Sequence, residues 1–354
     1  MQQAIDHLAA TIREAAKQKR PLCVRGGGTK DFYGGGVRGD RLSILDCRGI
    51  VQYEPTELVL TARAGTPLAE VEAVLREKGQ MLAFEPPQFG AGATFGGCIA
   101  TGLSGPRRAY AGAARDFVLG VRILDGKGAE LKFGGQVMKN VAGYDVSRLM
   151  TGSLGTLGVL LEISLKVLPL PAAETTLHLK CDETGAIRLM NEWAGKPLPI
   201  TATAYRDGYL GVRLSGARVA VDAAARKIGG TAVDPAQAER FWTGVREHTD
   251  PFFAGGGPLW RLSVKPTAPA LGLPGTQLIE WGGALRWLNS DADAKAIRDS
   301  AARAGGHATL FRGGDKAVGV FQPLAPALMK LHRGLKRSFD PAGILNPGRL
   351  YADL

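Results

Sequence analysis

The chain has 354 residues, is 45% hydrophobic and carries a formal net charge of +11, from 44 Lys and Arg against 33 Asp and Glu. That length supports two ordinary cores, and the charge suits either a basic solvated surface or an anionic ligand, partner or membrane. Nucleic-acid binding is disfavoured, because the basic residues are scattered rather than interleaved with aromatics and form no recognition motif.

The N-terminal MQQAIDHLAA lacks the basic and apolar regions of a signal peptide. Residues 2–18 place Ile5, Leu8, Ile12 and Ala15 on one helical face. After Pro21, Leu22-Cys23-Val24 reads as a strand that empties into Arg25-Gly26-Gly27-Gly28-Thr29-Lys30. Successive glycines there leave backbone N–H groups uncovered, which suits phosphate oxygens as well as a mobile loop. A formal GxGxxG at Gly34, Gly36 and Gly39 is discounted, since a strand (residues 40–45) follows it where a dinucleotide fingerprint needs a helix.

Residues 58–62 read as a strand. Thr66 is the expected N-cap and Pro67 the first residue of a helix running to about Lys78. A short glycine-rich helix follows from Phe95 to Gly102, capped by Thr94. Residues 117–124 and 129–133 form a hairpin around Asp125-Gly126. Residues 157–167 alternate as a half-buried strand, with Leu161, Ile163, Leu165 and Val167 on one face. Glu162 and Lys166 interrupt this run, so it does not span a membrane. Pro169 and Pro171 close the segment.

From residue 172 to 317, strand-like runs (175–179, 208–214, 260–264) alternate with helical ones (185–193, 217–228, 236–249, 291–304), as in a small α+β domain. All five tryptophans fall here, with core packing their expected use. A basic helix (328–337) and two consecutive turns in FDPAGILNPGRLY end the chain. The four cysteines (Cys23, Cys47, Cys98, Cys181) have no spacing for zinc or an iron–sulfur cluster. They are expected to be reduced thiols in a cytosolic protein, and any redox chemistry then needs an organic cofactor.

Sixteen glycines lie between Gly90 and Gly158. Glycine costs backbone entropy and packs nothing, so this density implies close approach of the backbone to something large, flat and charged. RGGGTK, GATFGGCIATG, YAGAARDFVLGVRILDGKG, NVAGYDVSRLMTGSLGTLGVL and FDPAGILNPGRLY, in that order, resemble the FAD-binding domain of the vanillyl-alcohol oxidase type, with the PCMH fold. Within it the chain is most similar to the glycolate oxidase (glycolate dehydrogenase) FAD-binding subunits, whose partners are a larger FAD-linked subunit and an iron–sulfur subunit. EWGGALRWL and GGHATLFRG carry the same resemblance.

The resemblance implies an α+β, PCMH-type FAD-binding domain of two subdomains over residues 1–171. A smaller α+β cap domain follows over 172–317, and residues 318–354 return to the FAD domain. It implies a cofactor site made by Arg25, Gly26, Gly27, Gly28, Thr29 and Lys30 at the diphosphate. Gly92, Ala93, Thr94, Gly96, Gly97, Gly102, Gly105, Gly112, Asp116, Gly152, Gly155, Gly158, Val159 and Asn346 complete it. Asp116 and Asn346 are equally read as local turn residues.

No histidine lies between Arg25 and Lys30 and Cys98 is out of place for a cysteinyl link, so noncovalent FAD is expected. His178, His248, His307 and His332 are isolated, without the metal motif of the substrate-oxidising relatives, and no metal or catalytic residue is assigned. The implied reaction is glycolate to glyoxylate with a partner subunit, small 2-hydroxyacids being handled there or here. The alternatives are a stand-alone FAD-dependent oxidase, with an arginine clamp drawn from Arg206, Arg213, Arg261 or Arg286, and a non-catalytic structural subunit. The basic helix suits a solvated face, an acidic partner or peripheral contact with the cytoplasmic face of the inner membrane.

Overall fold

The computed structural model describes residues 2–36, 38–135 and 144–354. The first four residues of NVAGYDVSRLM therefore lie outside the described residues. The helix Gln2–Gln18 buries Ile5, Leu8, Ile12 and Ala15, the face its spacing predicts. Leu22–Arg25 pairs in parallel with Asp40–Ser43. An antiparallel sheet of five strands runs in the order Ile50–Glu54, Val59–Arg63, Val159–Lys166, Val118–Leu124, Glu130–Gly134. These parts share one apolar core with Phe84, Phe95, Ile99 and Ile344.

A second antiparallel sheet has eight strands. Its order is Thr231–Ala232, Ala173–Lys180, Tyr209–Gly216, Ile200–Arg206, Thr276–Glu280, Leu285–Asn289, Leu259–Ser263, His307–Arg312. Helices Glu183–Ala194, Arg218–Ile228, Pro235–Glu247 and Ala294–Arg303 accompany it. All five tryptophans are buried. An aromatic cluster joins the two halves: Tyr33, Leu103 and Leu154 pack with Phe252, Phe253, Trp281, Trp287 and Phe311. The C-terminal helix Pro326–Phe339 then returns the chain to its beginning, where Leu22 N–H donates to the Ile344 carbonyl at 2.7 Å. Among the described residues, no helix is long and apolar enough to cross a membrane.

Four local expectations change. Thr66 does not cap the Leu68–Glu77 helix; its hydroxyl instead accepts from Gly49 N–H at 2.9 Å. The hairpin loop is longer than a two-residue turn, because Asp125 accepts from the amides of both Lys127 and Ala129. The strand Val159–Lys166 is covered on both faces, with Ser164 bonded to Thr61 at 2.8 Å inside the protein. Among strands of five or more residues, five escaped the sequence reading: Ile50–Glu54, Ile200–Arg206, Thr276–Glu280, Leu285–Asn289 and His307–Arg312. Four of them belong to the large sheet, which buries charged residues in these runs, including Glu280 and Arg286, so the apolar alternation is broken.

Candidate cofactor site

The strand Leu22–Arg25 delivers the loop of residues 25–30 to the junction of three segments. Gly28 has φ +77°, a conformation that favours glycine. At Gly27 the segment 90–93 passes so close that a Cβ would collide with the Gly92 carbonyl oxygen. Among the described residues, the amide N–H groups of Gly26, Gly27, Gly28, Thr29 and Lys30 donate to no protein acceptor. Five consecutive unpaired amides form a nest of partial positive charge suited to an anion.

These residues line a cavity of about 310 Å³. Of the sequence-predicted set, Arg25 to Lys30, Thr94, Gly96, Gly97, Gly155, Gly158 and Asn346 face it. The structure adds Cys23, Val24, Asp31, Gly36, Ile44, Ala100, Thr101, Leu154, Leu160 and Arg349 to the wall. Gly36 was discounted with its GxGxxG spacing, yet a Cβ there would meet no protein atom within 4 Å. Its missing side chain keeps that wall open. Arg349 gave no motif signal beyond NPGRLY. Its guanidinium donates to the carbonyls of Lys30, Asp31 and Gly35 at 3.0–3.1 Å, clasping the loop from the C-terminal end.

The other predicted residues are placed elsewhere, each for a backbone reason. Gly92 packs on Gly27, and the buried Ala93 carbonyl accepts from Leu68 N–H at 2.8 Å. Gly102 ends the Phe95–Thr101 helix with φ +62°, against Gly152, which has φ +82°. Gly105 lies under Glu85, and its carbonyl accepts from Trp281 Nε1 at 3.0 Å. Gly112 turns with φ +111° beside Asp116, whose carboxylate accepts from Ala113 N–H at 2.9 Å. Val159 is a core strand residue. Thr94 does cap the Phe95–Thr101 helix, accepting from Gly97 N–H at 3.1 Å.

Asn346 spends its amide on the protein. Its Oδ1 accepts from Val24 N–H and its Nδ2 donates to the Leu154 carbonyl, both at 2.7 Å. It thereby ties three walls of the cavity together. Charge at the rim comes from Arg25, paired with Asp31, and from Arg349 and Lys30. Burial pulls the Lys30 ammonium below its usual pKa, with the Cys98 thiol and Glu247 opposing the shift, and its Nζ donates to the Gln88 carbonyl at 3.1 Å. Cys98 is buried outside the cavity wall, and that burial pushes its thiol up to about 12. Nest, basic rim and bare glycine walls fit a flat molecule carrying a diphosphate.

The arginine candidates separate clearly. Arg206 pairs with Asp207 and Asp250. Arg213 donates to Glu85 at 2.8 Å, in a cluster with Arg107 and Glu174. Arg286 is fully buried and donates to the carbonyls of Gly283 and Ala268. Arg261 alone of the four has no protein acceptor among the described residues. His248 stacks on Phe253 at 3.9 Å, and burial holds its pKa well below the ordinary value, with Arg312 and Arg261 adding to the effect.

Residues 3–134 match the family model described as FAD binding domain, and residues 313–350 that of FAD linked oxidases, C-terminal domain. Over 347 residues the chain is 50% identical to glycolate oxidase subunit GlcE of Escherichia coli (strain K12), covering 98% of this chain and 97% of that protein. It is 29% identical over 174 residues to glycolate oxidase subunit GlcD of Bacillus subtilis (strain 168), covering 49% of this chain and 37% of that protein. The crystal structure of p-cresol methylhydroxylase with substrate bound superposes with a TM-score of 0.73 at 15% identity, covering 99% of this chain and 87% of that one, which shows a common fold. With every second residue shared along nearly its whole length, the chain belongs to the family of glycolate oxidase subunit GlcE, among the FAD-dependent oxidoreductases.

Proposed function

We propose that this chain is the FAD-binding subunit of a multi-subunit glycolate dehydrogenase, which converts glycolate to glyoxylate. The observation that carries the reading is the run of five unpaired amides at residues 26–30 on a cavity wall, in a chain of this family. Those amides would hold the diphosphate of FAD. Gly36, Gly97 and Gly155 would let the backbone lie against the rest of the molecule, with Leu154 and Asn346 at its edge. Bound FAD supplies a two-electron acceptor that can pass electrons on singly.

The sequence has no cysteine spacing for a metal cluster, so onward one-electron transfer falls to an iron–sulfur partner. A larger FAD-linked subunit is the second partner and the place where the 2-hydroxyacid is oxidised. The chain is read in three parts, 1–171, 172–317 and 318–354. Support comes from the confinement of each large sheet to one part and from the return of Ile344 to Leu22. The complex is placed in the cytoplasm, peripherally on the inner membrane. Lys330 and Arg337 on the exposed side of the Pro326–Phe339 helix support that contact; Lys336, read from the sequence as part of the same face, is buried.

FAD is held noncovalently in this reading, because a buried thiol such as Cys98 is a poor nucleophile. A visible spectrum of the purified chain tests the proposal. Flavin bands are expected, with the flavin released into the supernatant on acid denaturation. A colourless chain overturns FAD binding, and a flavin that stays with the precipitate overturns the noncovalent mode. Bleaching by glycolate in the absence of other subunits would move substrate oxidation into this chain.

A further inference from the structure

Of the residues in the helix Pro326–Phe339, only Lys336 is fully buried. Leu328 and Leu331 are 48% and 63% exposed, and with Leu335 they recur at three- and four-residue spacing on one face. An amphipathic helix normally turns such a face to a core. Ala327, Gly334 and Ser338 continue the face, so no charge interrupts it. Lys330 and Arg337 stand along one edge of it. Arg333 pairs with Asp353 and Lys336 with Asp340, whereas Lys330 and Arg337 have no ion-pair partner among the described residues.

Beside this face a cavity of about 330 Å³ lies between Leu335 of the helix, Leu149 and Leu157, and Tyr351 and Leu354 near the C-terminus. The Thr151 hydroxyl belongs to its wall, and it is buried with no hydrogen-bond partner among the described residues. Gly334 is equally unexplained by the packing of this chain. A glycine inside a helix costs stability relative to alanine, yet a Cβ there would meet no atom within 4 Å. The bare position lets a second backbone come close. The segment 151–157 divides this cavity from the cofactor cavity, with Leu154 and Gly155 on that side and Ser153 and Thr156 on this one.

We propose that this face docks an acidic amphipathic helix of the iron–sulfur partner. The acidic edge of that helix meets Lys330 and Arg337, and its backbone crosses at Gly334. One of its side chains, with an apolar body and a polar end, fills the cavity and reaches Thr151. Charge selects this occupant over a second copy, which would bring like cations to the same edge. A bilayer gains from bulky apolar side chains and nothing from a bare glycine. The inference rests on the reading of the chain as one subunit of a complex, and it gives Lys330 and Arg337 a protein contact in place of the lipid contact above. Docking here sets a one-electron acceptor one chain segment away from the cofactor cavity.

Co-expression of the full chain with the larger FAD-linked and iron–sulfur partners tests this, with assembly read by size-exclusion chromatography and light scattering. Leu331→Asp, and Lys330→Glu combined with Arg337→Glu, are expected to weaken retention of the iron–sulfur subunit by roughly tenfold or more. The exposed Arg303→Glu should leave it unchanged. Gly334→Leu separates docking from folding. It places a helix former in open space, so the Tm of the chain alone should rise while assembly falls. Vesicles containing phosphatidylglycerol and light scattering of the chain alone test the other occupants. Vesicle binding that Gly334→Leu strengthens and Leu331→Asp abolishes, with the complex intact, makes the occupant lipid and overturns the proposal. A dimer of the chain alone that Leu331→Asp splits makes it a second copy and overturns it equally, as does loss of the larger subunit in place of the iron–sulfur one. A wild-type chain that assembles with neither partner overturns the multi-subunit reading and this inference with it. A complex that forms and ignores all three variants overturns this inference alone.

Discussion

Two glycines of the cofactor loop region are expected to behave differently for reasons visible atom by atom. Gly27→Ala drives a methyl group into the Gly92 carbonyl, so the loop must move. The expected outcome is a lower Tm and loss of bound flavin together. Gly36→Ala places its methyl in open cavity space, so Tm should hold while FAD affinity falls. Thermal melts and flavin titration on both variants check the contrast, and a Gly36→Ala chain with normal flavin affinity would remove Gly36 from the site. Glu280 makes a prediction in pH. Burial raises its carboxyl to about 8, and Trp287, Arg261 and Arg213 oppose that shift while Glu85 adds to it; His248 lines the same small cavity as Glu280. The unfolded chain loses this proton near its ordinary pKa, whereas the folded chain keeps it to about 8. The native state is therefore penalised progressively as pH rises between those values. Glu280→Gln should flatten that part of the stability profile and raise Tm above pH 8, by roughly 2–4 °C for each kcal/mol regained. Identical pH profiles for the two chains would show that Glu280 ionises normally.

The C-terminal helix shows how one element can carry both a solvated face and a structural pin. Its basic run was legible in the sequence, but which lysine was buried was not. Lys336 Nζ donates to the carbonyls of Thr156 and Leu345 and to the buried Asp340 carboxylate at 2.7–2.9 Å. It thus ties the helix to the segment after Gly155 and to the returning segment at Leu345. Lys336→Met leaves Asp340 charged and buried without its partner, at a cost of about 3–5 kcal/mol. Adding Asp340→Asn should recover part of that loss. Arg337→Glu, on the exposed side, should change stability by less than about 0.5 kcal/mol. Urea unfolding of the three variants decides the matter, and equal midpoints for Lys336→Met and wild type would refute the pin. The strand and helix positions of the first 167 residues were largely readable because apolar periodicity survives there. Of the eight strands of the large sheet only three were readable, because buried charges such as Glu280 and Arg286 occupy strand positions that a periodicity reading assigns to solvent.

At the scale of the molecule, the two halves meet through the aromatic cluster and through a buried set of charges. Glu85 accepts from Arg213 Nη2 and from Arg107 N–H, each at 2.8 Å, and Arg107 reaches Glu174 at 3.0 Å. Burial alone would raise the Glu85 carboxyl, but Arg213 and Arg107 outweigh it and hold the pKa below the usual value. Arg213→Met should cost up to about 3 kcal/mol, since it leaves the buried Glu85 carboxylate with Arg107 as its one remaining cation in the cluster. High salt should not reproduce the loss, because buried pairs are poorly screened. A Tm that falls with added salt as far as it falls in the variant would place the network at the solvent instead.

The order of the glycine motifs, the N-terminal helix, the strand that ends in RGGGTK and the capping of the Phe95 helix by Thr94 were all determined by local sequence. Each depends on contacts within a few residues, or on backbone freedom that only glycine has. The sequence could not say which glycines face a ligand. Gly26 and Gly36 line the cavity, while Gly102, Gly112 and Gly152 serve turns, and both uses demand the same residue. Tertiary structure alone decided that, because facing is set by segments more than 50 residues apart, as where Gly27 meets Gly92 and Asn346 joins Val24 to Leu154. It also decided which of the four candidate arginines lacks an ion pair among the described residues. Pairing depends on where distant carboxylates fall: Arg206, Arg213 and Arg286 have such a pair and Arg261 has none.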